Sequence, residues 1–175
     1  MAPLRPGLAA IIGMLFLVAP AGAATLEPSP DTAIGPLTLV PEPDPIRFVV
    51  PLRALASSPY GPRWGGFHYG VDIEGWQRTD VRAAADGVVT RVGWLPHYSG
   101  YGYVVVVRHA PGLATMYAHL SRALVREGQR VESGQHIASA GCTGSCYGTH
   151  LHFEVHRRGK AVDPMRWLHG KLRFR

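Results

Sequence analysis

The chain has 175 residues, 46% of them hydrophobic, and 18 Lys and Arg against 12 Asp and Glu give a formal net charge of +6. That length suits one domain with a real core, and the basic balance favours polyanionic surroundings without naming one. No Lys/Arg run or base-stacking motif is present, which excludes a nucleic-acid module, and 21 glycines with 15 prolines favour short elements and turns over long helices.

Arg5, the apolar stretch from Gly7 to Val18, Pro20 and then Ala21-Gly22-Ala23 have the layout of an export signal, expected to span residues 1–23. The apolar stretch is shorter than the roughly 20 residues that cross a bilayer. A secreted or cell-envelope protein without stable membrane insertion after cleavage is therefore expected. No cysteine lies near the cleavage pattern, so a lipid-anchored form is not expected. Residues 24–50 carry Pro28, Pro30, Pro36, Pro41, Pro43 and Pro45 and read as an extended tether, with Ile46 to Val50 as an apolar end that docks as a first strand. Residues 51–170 remain as the folded domain, with no solenoid repeat and no second module, and a monomer is expected.

From residue 60 the pattern is mainly β. Gly87 to Val92 is β-branched and bounded by glycines, and Tyr103 to Val107 is a continuous apolar run expected to be buried on both faces. Leu113 to Leu120 is a further strand. Arg130-Val131 and His136-Ile137 flank a turn at Glu132-Ser133-Gly134. Leu151, Phe153 and Val155 alternate with His150, His152, Glu154 and His156, the period of a strand with one face in the core. Short strands at this spacing predict a compact antiparallel β-sandwich or barrel-like sheet. Helix is confined to one turn at Pro164 to Leu168.

Three segments carry candidate chemistry. In Thr149-His150-Leu151-His152-Phe153-Glu154, side chains two apart share a face, so His150 and His152 project together. In Phe67-His68-Tyr69-Gly70-Val71-Asp72, the crowding glycines oppose a helix and favour a loop entering a strand, with Asp72 opposite in sense to Val71 and Ile73. In Met116-Tyr117-Ala118-His119-Leu120, His119 ends an apolar strand. Each segment alone is equally a set of surface or strand-end polar groups. Together they supply nitrogen and oxygen donors suited to Zn²⁺ and two further histidines for acid–base work. Glu154 is either an orienting partner of His152 or an exposed strand carboxylate. Trp94, Tyr98, Tyr101 and Tyr103 line a groove or pack. His97, His109, His156 and His169 read as polar surface residues at loop-like or terminal positions.

The ordered motifs H-x-x-x-D, Y-x-H-L and H-L-H-F-E resemble those of the lysostaphin-type M23 peptidases. The resemblance extends through Asp80 to Val89, Gly128 to Gln135, Gly141 to Ser145, Asp163-Pro164 and Trp167-Leu168, so it covers roughly residues 57–168. By resemblance, His68, Asp72 and His152 are the zinc ligands and His119 and His150 the unligated catalytic pair. The resemblance also implies the family's compact antiparallel β fold (the duplicated hybrid motif type) and zinc-dependent cleavage of peptide bonds in bacterial peptidoglycan. The departures are Cys142 and Cys146, which sit where many relatives have no cysteine, and His136, which replaces an aliphatic residue. In an exported protein the close cysteine pair is expected to form a disulfide. The rival function is a non-catalytic M23-like regulator of wall hydrolases. Such relatives characteristically lose zinc ligands, and none is substituted here.

Overall fold

In the computed structural model the described residues are 46–63, 65–96, 99–169 and 172–175. The expected signal segment, the tether up to residue 45, His97 and Tyr98 lie outside them. No α-helix occurs among the described residues, and none of their elements is long and apolar enough to cross a membrane as a helix. The strands are β1 (Ala56–Ser58), β2 (Gly61–Arg63), β3 (Gly66–His68), β4 (Val71–Glu74), β5 (Asp80–Arg82), β6 (Gly87–Trp94), β7 (Tyr103–Ala110), β8 (Leu113–Ala118), β9 (Arg122–Ala123), β10 (Arg130–Val131), β11 (His136–Ser139), β12 (His150–Arg157) and β13 (Lys160–Val162).

Every ladder pairing is antiparallel. The large sheet runs β1-β4-β12-β8-β7-β6-β10 with β13 beside β12, a smaller sheet runs β5-β11-β9, and β2-β3 is a separate hairpin. The turn at Glu132-Ser133-Gly134 does not close a hairpin: β10 pairs β6 in the large sheet, while β11 pairs β5 and β9 in the small one. The chain thus changes layers at that turn.

The main core lies between the two sheets. Val105 and Val107 of β7, Tyr117 of β8, and Leu151, Phe153 and Val155 of β12 meet Val81 of β5 and Ile137 and Ala138 of β11 there. The alternate residues Val104, Met116 and Ala118 form a second buried cluster with Leu95, Tyr101 and Val106. β7 is thus apolar on both faces, as its continuous run predicts.

Ile46 to Val50 does not form a strand. Phe48 instead makes a single parallel bridge to Leu168 and is fully buried, stacking on Trp167 with ring centroids 5.6 Å apart and lying 5.0 Å from His109. Leu172 is buried as well, so the packed body reaches past residues 51 and 170 at both ends.

His109 is a correction to the surface reading. It lies within β7, half-buried, with Nδ1–H donating to the Asp86 carbonyl (2.7 Å) and Nε2 2.8 Å from Thr115 Oγ1. Thr115 lies 3.0 Å from the hydroxyl of Tyr117, which accepts from Ala84 N–H at 2.8 Å. Full burial pushes the Tyr117 phenol up to about 12, against the two hydrogen bonds.

Candidate metal centre

The candidate residues gather on the face of the large sheet away from the main core. In β4, Val71 and Ile73 are buried, which sends Asp72 and Glu74 to the other face. In β12, Leu151, Phe153 and Val155 do the same for His150, His152 and Glu154. The register sets His152 opposite Asp72 on one side and opposite Ala118, the residue before His119, on the other. His68 ends β3. His119 follows β8 with φ at 59°, a left-handed conformation uncommon for a non-glycine residue.

The ligating atoms of His68, Asp72 and His152 all lie within 4.8 Å of one another. Asp72 Oδ1 is 3.0 Å from His68 Nε2 and 2.8 Å from His152 Nδ1, and those two nitrogens are 3.0 Å apart. His119 and His150 stand beside this group with ring centroids 4.6 Å apart, and His150 Nε2 is 3.8 Å from Asp72 Oδ1.

The far side of each ring fixes its tautomer. His68 Nδ1 is 2.7 Å from the Pro59 carbonyl, His119 Nδ1 2.7 Å from the Thr143 carbonyl, and His150 Nδ1 2.7 Å from the Gly148 carbonyl. A carbonyl only accepts, so each of these nitrogens carries a proton and Nε2 is the atom each ring turns to the cleft. His152 donates Nε2–H to Glu154 Oε1 at 2.9 Å, which turns Nδ1 toward Asp72 and His68. Two nitrogens 3.0 Å apart beside a carboxylate share a cation, either a proton that bonds Asp72 or a metal ion. Two imidazoles and one carboxylate, each backed by an outer partner, fit Zn²⁺.

The charges agree. Burial alone would raise the Asp72 carboxyl, but hydrogen bonds from His152 and His68 hold it well below the usual carboxylate range. Burial alone would lower His152, but the carboxylates of Asp72 and Glu154 raise it. Glu154 is 1% exposed, which on its own would raise its carboxyl. Bonds from His152 and His156, with Tyr101 Oη–H donating at 2.7 Å, keep it at about 2. Glu154 is therefore a buried ionic partner and not an exposed strand carboxylate, and His156, in β12, is its neighbour and not a loop residue. His119 is pushed down to about 4, chiefly by burial, so it is neutral near pH 7.

The cleft has a volume of about 490 Å³, and its walls include Ser57, Arg63, Tyr101, Ser145, Tyr147 and Thr149 beside the four histidines. Tyr101 does border the cleft, while Trp94 is largely exposed. Arg63 Nη2 donates to Asp72 Oδ2 at 3.2 Å. Nothing in the local pattern around Arg63 singles it out, because its role depends on how the β2-β3 hairpin folds back. Cys142 and Cys146 form a disulfide with Cα atoms 5.3 Å apart, in the loop that leads to His150. Thr143, inside that loop, ties three segments together. Its carbonyl holds His119, its hydroxyl donates to the Leu120 carbonyl at 2.9 Å, and its Oγ1 accepts from Tyr103 N–H at 2.9 Å.

Comparison with known proteins gives concordant matches. The family model described as Peptidase family M23 matches residues 66–164. The DD-carboxypeptidase/endopeptidase Mpg of Neisseria meningitidis is 43% identical over 62% of this chain and 26% of its own length. The murein hydrolase activator NlpD of Escherichia coli is 38% identical over 67% of this chain and 30% of its own. A zinc-containing peptidase from Vibrio cholerae superposes with a TM-score of 0.63 at 33% identity, over 72% of this chain and 40% of that one. The chain spans about a quarter of the length of the first curated relatives it matches.

Proposed function

The chain belongs to peptidase family M23, and from that premise we propose that it is an exported zinc-dependent endopeptidase that hydrolyses peptide bonds in bacterial peptidoglycan cross-links. The observation that carries this reading is the convergence of His68, Asp72 and His152 within 4.8 Å beside the paired rings of His119 and His150. A DD-carboxypeptidase/endopeptidase and a murein hydrolase activator among the relatives support a peptidoglycan substrate and an envelope location. The export signal over residues 1–23 and the tether over 24–50, without its packed end from Ile46 to Val50, belong to the same proposal.

In this reading His68 Nε2, His152 Nδ1 and Asp72 hold the metal. Bound zinc supplies Lewis acidity toward a peptide carbonyl and toward water. The chain has no H-E-x-x-H glutamate base, so the proton falls to His119 and His150. Burial keeps His119 neutral near pH 7, ready to accept a proton at Nε2 while the Thr143 carbonyl holds its Nδ1–H. His150, anchored through the Gly148 carbonyl, offers its own Nε2 to the same space. One ring takes the proton from the attacking water, and the other steadies the charge on oxygen or passes a proton to the leaving amine.

The likeness to a murein hydrolase activator favours a second reading, a regulator that cuts nothing. Zinc analysis combined with digestion of defined peptidoglycans, product masses recorded, separates the two. The peptidase binds one zinc per chain and releases peptide fragments. His152→Ala loses metal and turnover together. His119→Ala and His150→Ala keep the metal while turnover falls roughly 10²- to 10⁴-fold. A zinc-loaded wild type that releases nothing is the regulator.

A further inference from the structure

Arg63 backs Asp72 with one of its donors and has no further task in this chemistry. Among the described residues lining the cleft it is the one Lys or Arg, and its side chain is 35% exposed there. Its planar fork has five N–H donors. Asp72 takes one of them, through Oδ2 at 3.2 Å, and no other described residue bonds the guanidinium. Asp72 does not depend on Arg63 for a partner, since His68 and His152 both bond its Oδ1. A divalent metal on two neutral imidazoles and one carboxylate leaves a positive surplus, and a guanidinium beside the carboxylate adds to it. Glu74, the other carboxylate of the cleft wall, is engaged by Arg175 at 3.4 Å. Such a position calls for an anionic group brought by the substrate.

We propose that Arg63 selects substrates with a free carboxylate on the residue that leaves as the amine. Only one carboxylate separates the guanidinium from the donor cluster, so the anion it binds borders the scissile bond. On the acyl side, a residue with a single carboxyl has used it in the scissile carbonyl. The amine-side residue is the one that still has a carboxylate to offer. A glycine inside a bridge has none, because its carboxyl is tied into the next amide. The proposal rests on the peptidase reading and narrows it to direct cross-links and free peptide ends. The carboxylate has two sources: a chain-terminal amino acid, or a diamino acid acylated at an amine whose carbon bears a free carboxylate.

The test compares N-acetyl-D-alanyl-D-alanine with its C-terminal amide, and N-acetyl-D-alanyl-diaminopimelate with its diamide, on the full zinc-loaded chain. Charge-assisted recognition predicts a preference for acid over amide of roughly ten- to a hundredfold in kcat/KM. The preferred acid identifies the source. In Arg63→Gln the ratio collapses to about one, with zinc content still one per chain. Arg63→Lys, which keeps the charge but loses the fork, retains part of the ratio and carries the comparison should the glutamine variant shed zinc. Calorimetric titration of both pairs into the zinc-loaded His119→Ala chain reads the preference without turnover. A wild type that cuts nothing thus overturns the peptidase reading while the titration still decides this one. Equal affinity for acid and amide, or a ratio that survives Arg63→Gln, overturns the proposal.

Discussion

Glu154 lies beneath His152 with all but 1% of its surface covered, and it accepts from His152, Tyr101 and His156. An ionised carboxylate in that position keeps the His152 proton on Nε2 and turns Nδ1 toward Asp72. Partners of this kind typically contribute 10- to 100-fold in metal affinity. Glu154→Ala is accordingly expected to weaken zinc binding by about that factor in a chelator competition, while Glu154→Gln, which still accepts from Nε2, recovers most of it. Wild-type affinity in the alanine variant would remove Glu154 from the metal's support. The alternation of β12 puts Glu154 on the face of His152 from sequence alone. Its burial was not legible there, because the cover comes from Tyr101, 53 positions away, and from the second apolar cluster around it.

The strands show the same division between local and distant causes. Period-two alternation locates β12, and the continuous apolar run locates β7, because both patterns are written in consecutive residues. The turn between β10 and β11 is equally local, but the change of layer it produces depends on partners 40 to 60 residues away and leaves no mark on the turn. Gly70 belongs to this element scale. It stands just before β4, between His68 and Asp72, and a Cβ there would collide with the backbone carbonyl of Phe153 and approach His152 Cε1 to 2.9 Å. The glycine therefore sets how closely β4 lies under the His152 ring. Gly70→Ala is expected to cost roughly 1–3 kcal/mol of stability through overpacking and to lower zinc occupancy, whereas a surface glycine such as Gly128, with open space at its Cβ, gives no comparable occupancy loss. Zinc content alongside urea unfolding checks both, and a fully loaded Gly70→Ala would show that β4 can move away without disturbing the ligands.

At the scale of the whole molecule, His109 links the buried polar thread to pH. Burial pushes its imidazole below the usual value near 6.5, only partly opposed by the carbonyl and charge of Asp86. The folded chain therefore binds this proton less readily than the unfolded one. Its contribution to stability is complete above about pH 6.5 and is lost as pH falls through that value toward the lower folded pKa, with a limiting slope of about 1.4 kcal/mol per pH unit for one proton. His109→Gln is expected to flatten the fall in unfolding free energy between pH 7.5 and 5.5, measured by urea at saturating zinc. An unchanged pH dependence would mean that His109 protonates without resisting the fold. Sequence reasoning missed this role because His109 is polar by composition and becomes interior only when Phe48 arrives over it from the chain's other end.

Thr143 has a consequence for how this architecture can be varied. It grips His119, Leu120 and Tyr103 at one end of the disulfide loop, and His150 N–H bonds the Gly141 carbonyl at 3.3 Å across the other. The stretch from Gly144 to Gly148 is itself pinned, by the disulfide at Cys146, by Ser145 N–H on the Gly100 carbonyl at 2.9 Å and by His150 Nδ1–H on the Gly148 carbonyl at 2.7 Å. Tyr147, fully exposed on the cleft wall, is the one large side chain there that nothing ties down among the described residues. It is therefore a natural plug-in position. Its side chain can be exchanged by evolution or by grafting to reshape what the cleft admits, while the hardware that moves protons stays bolted to the sheet.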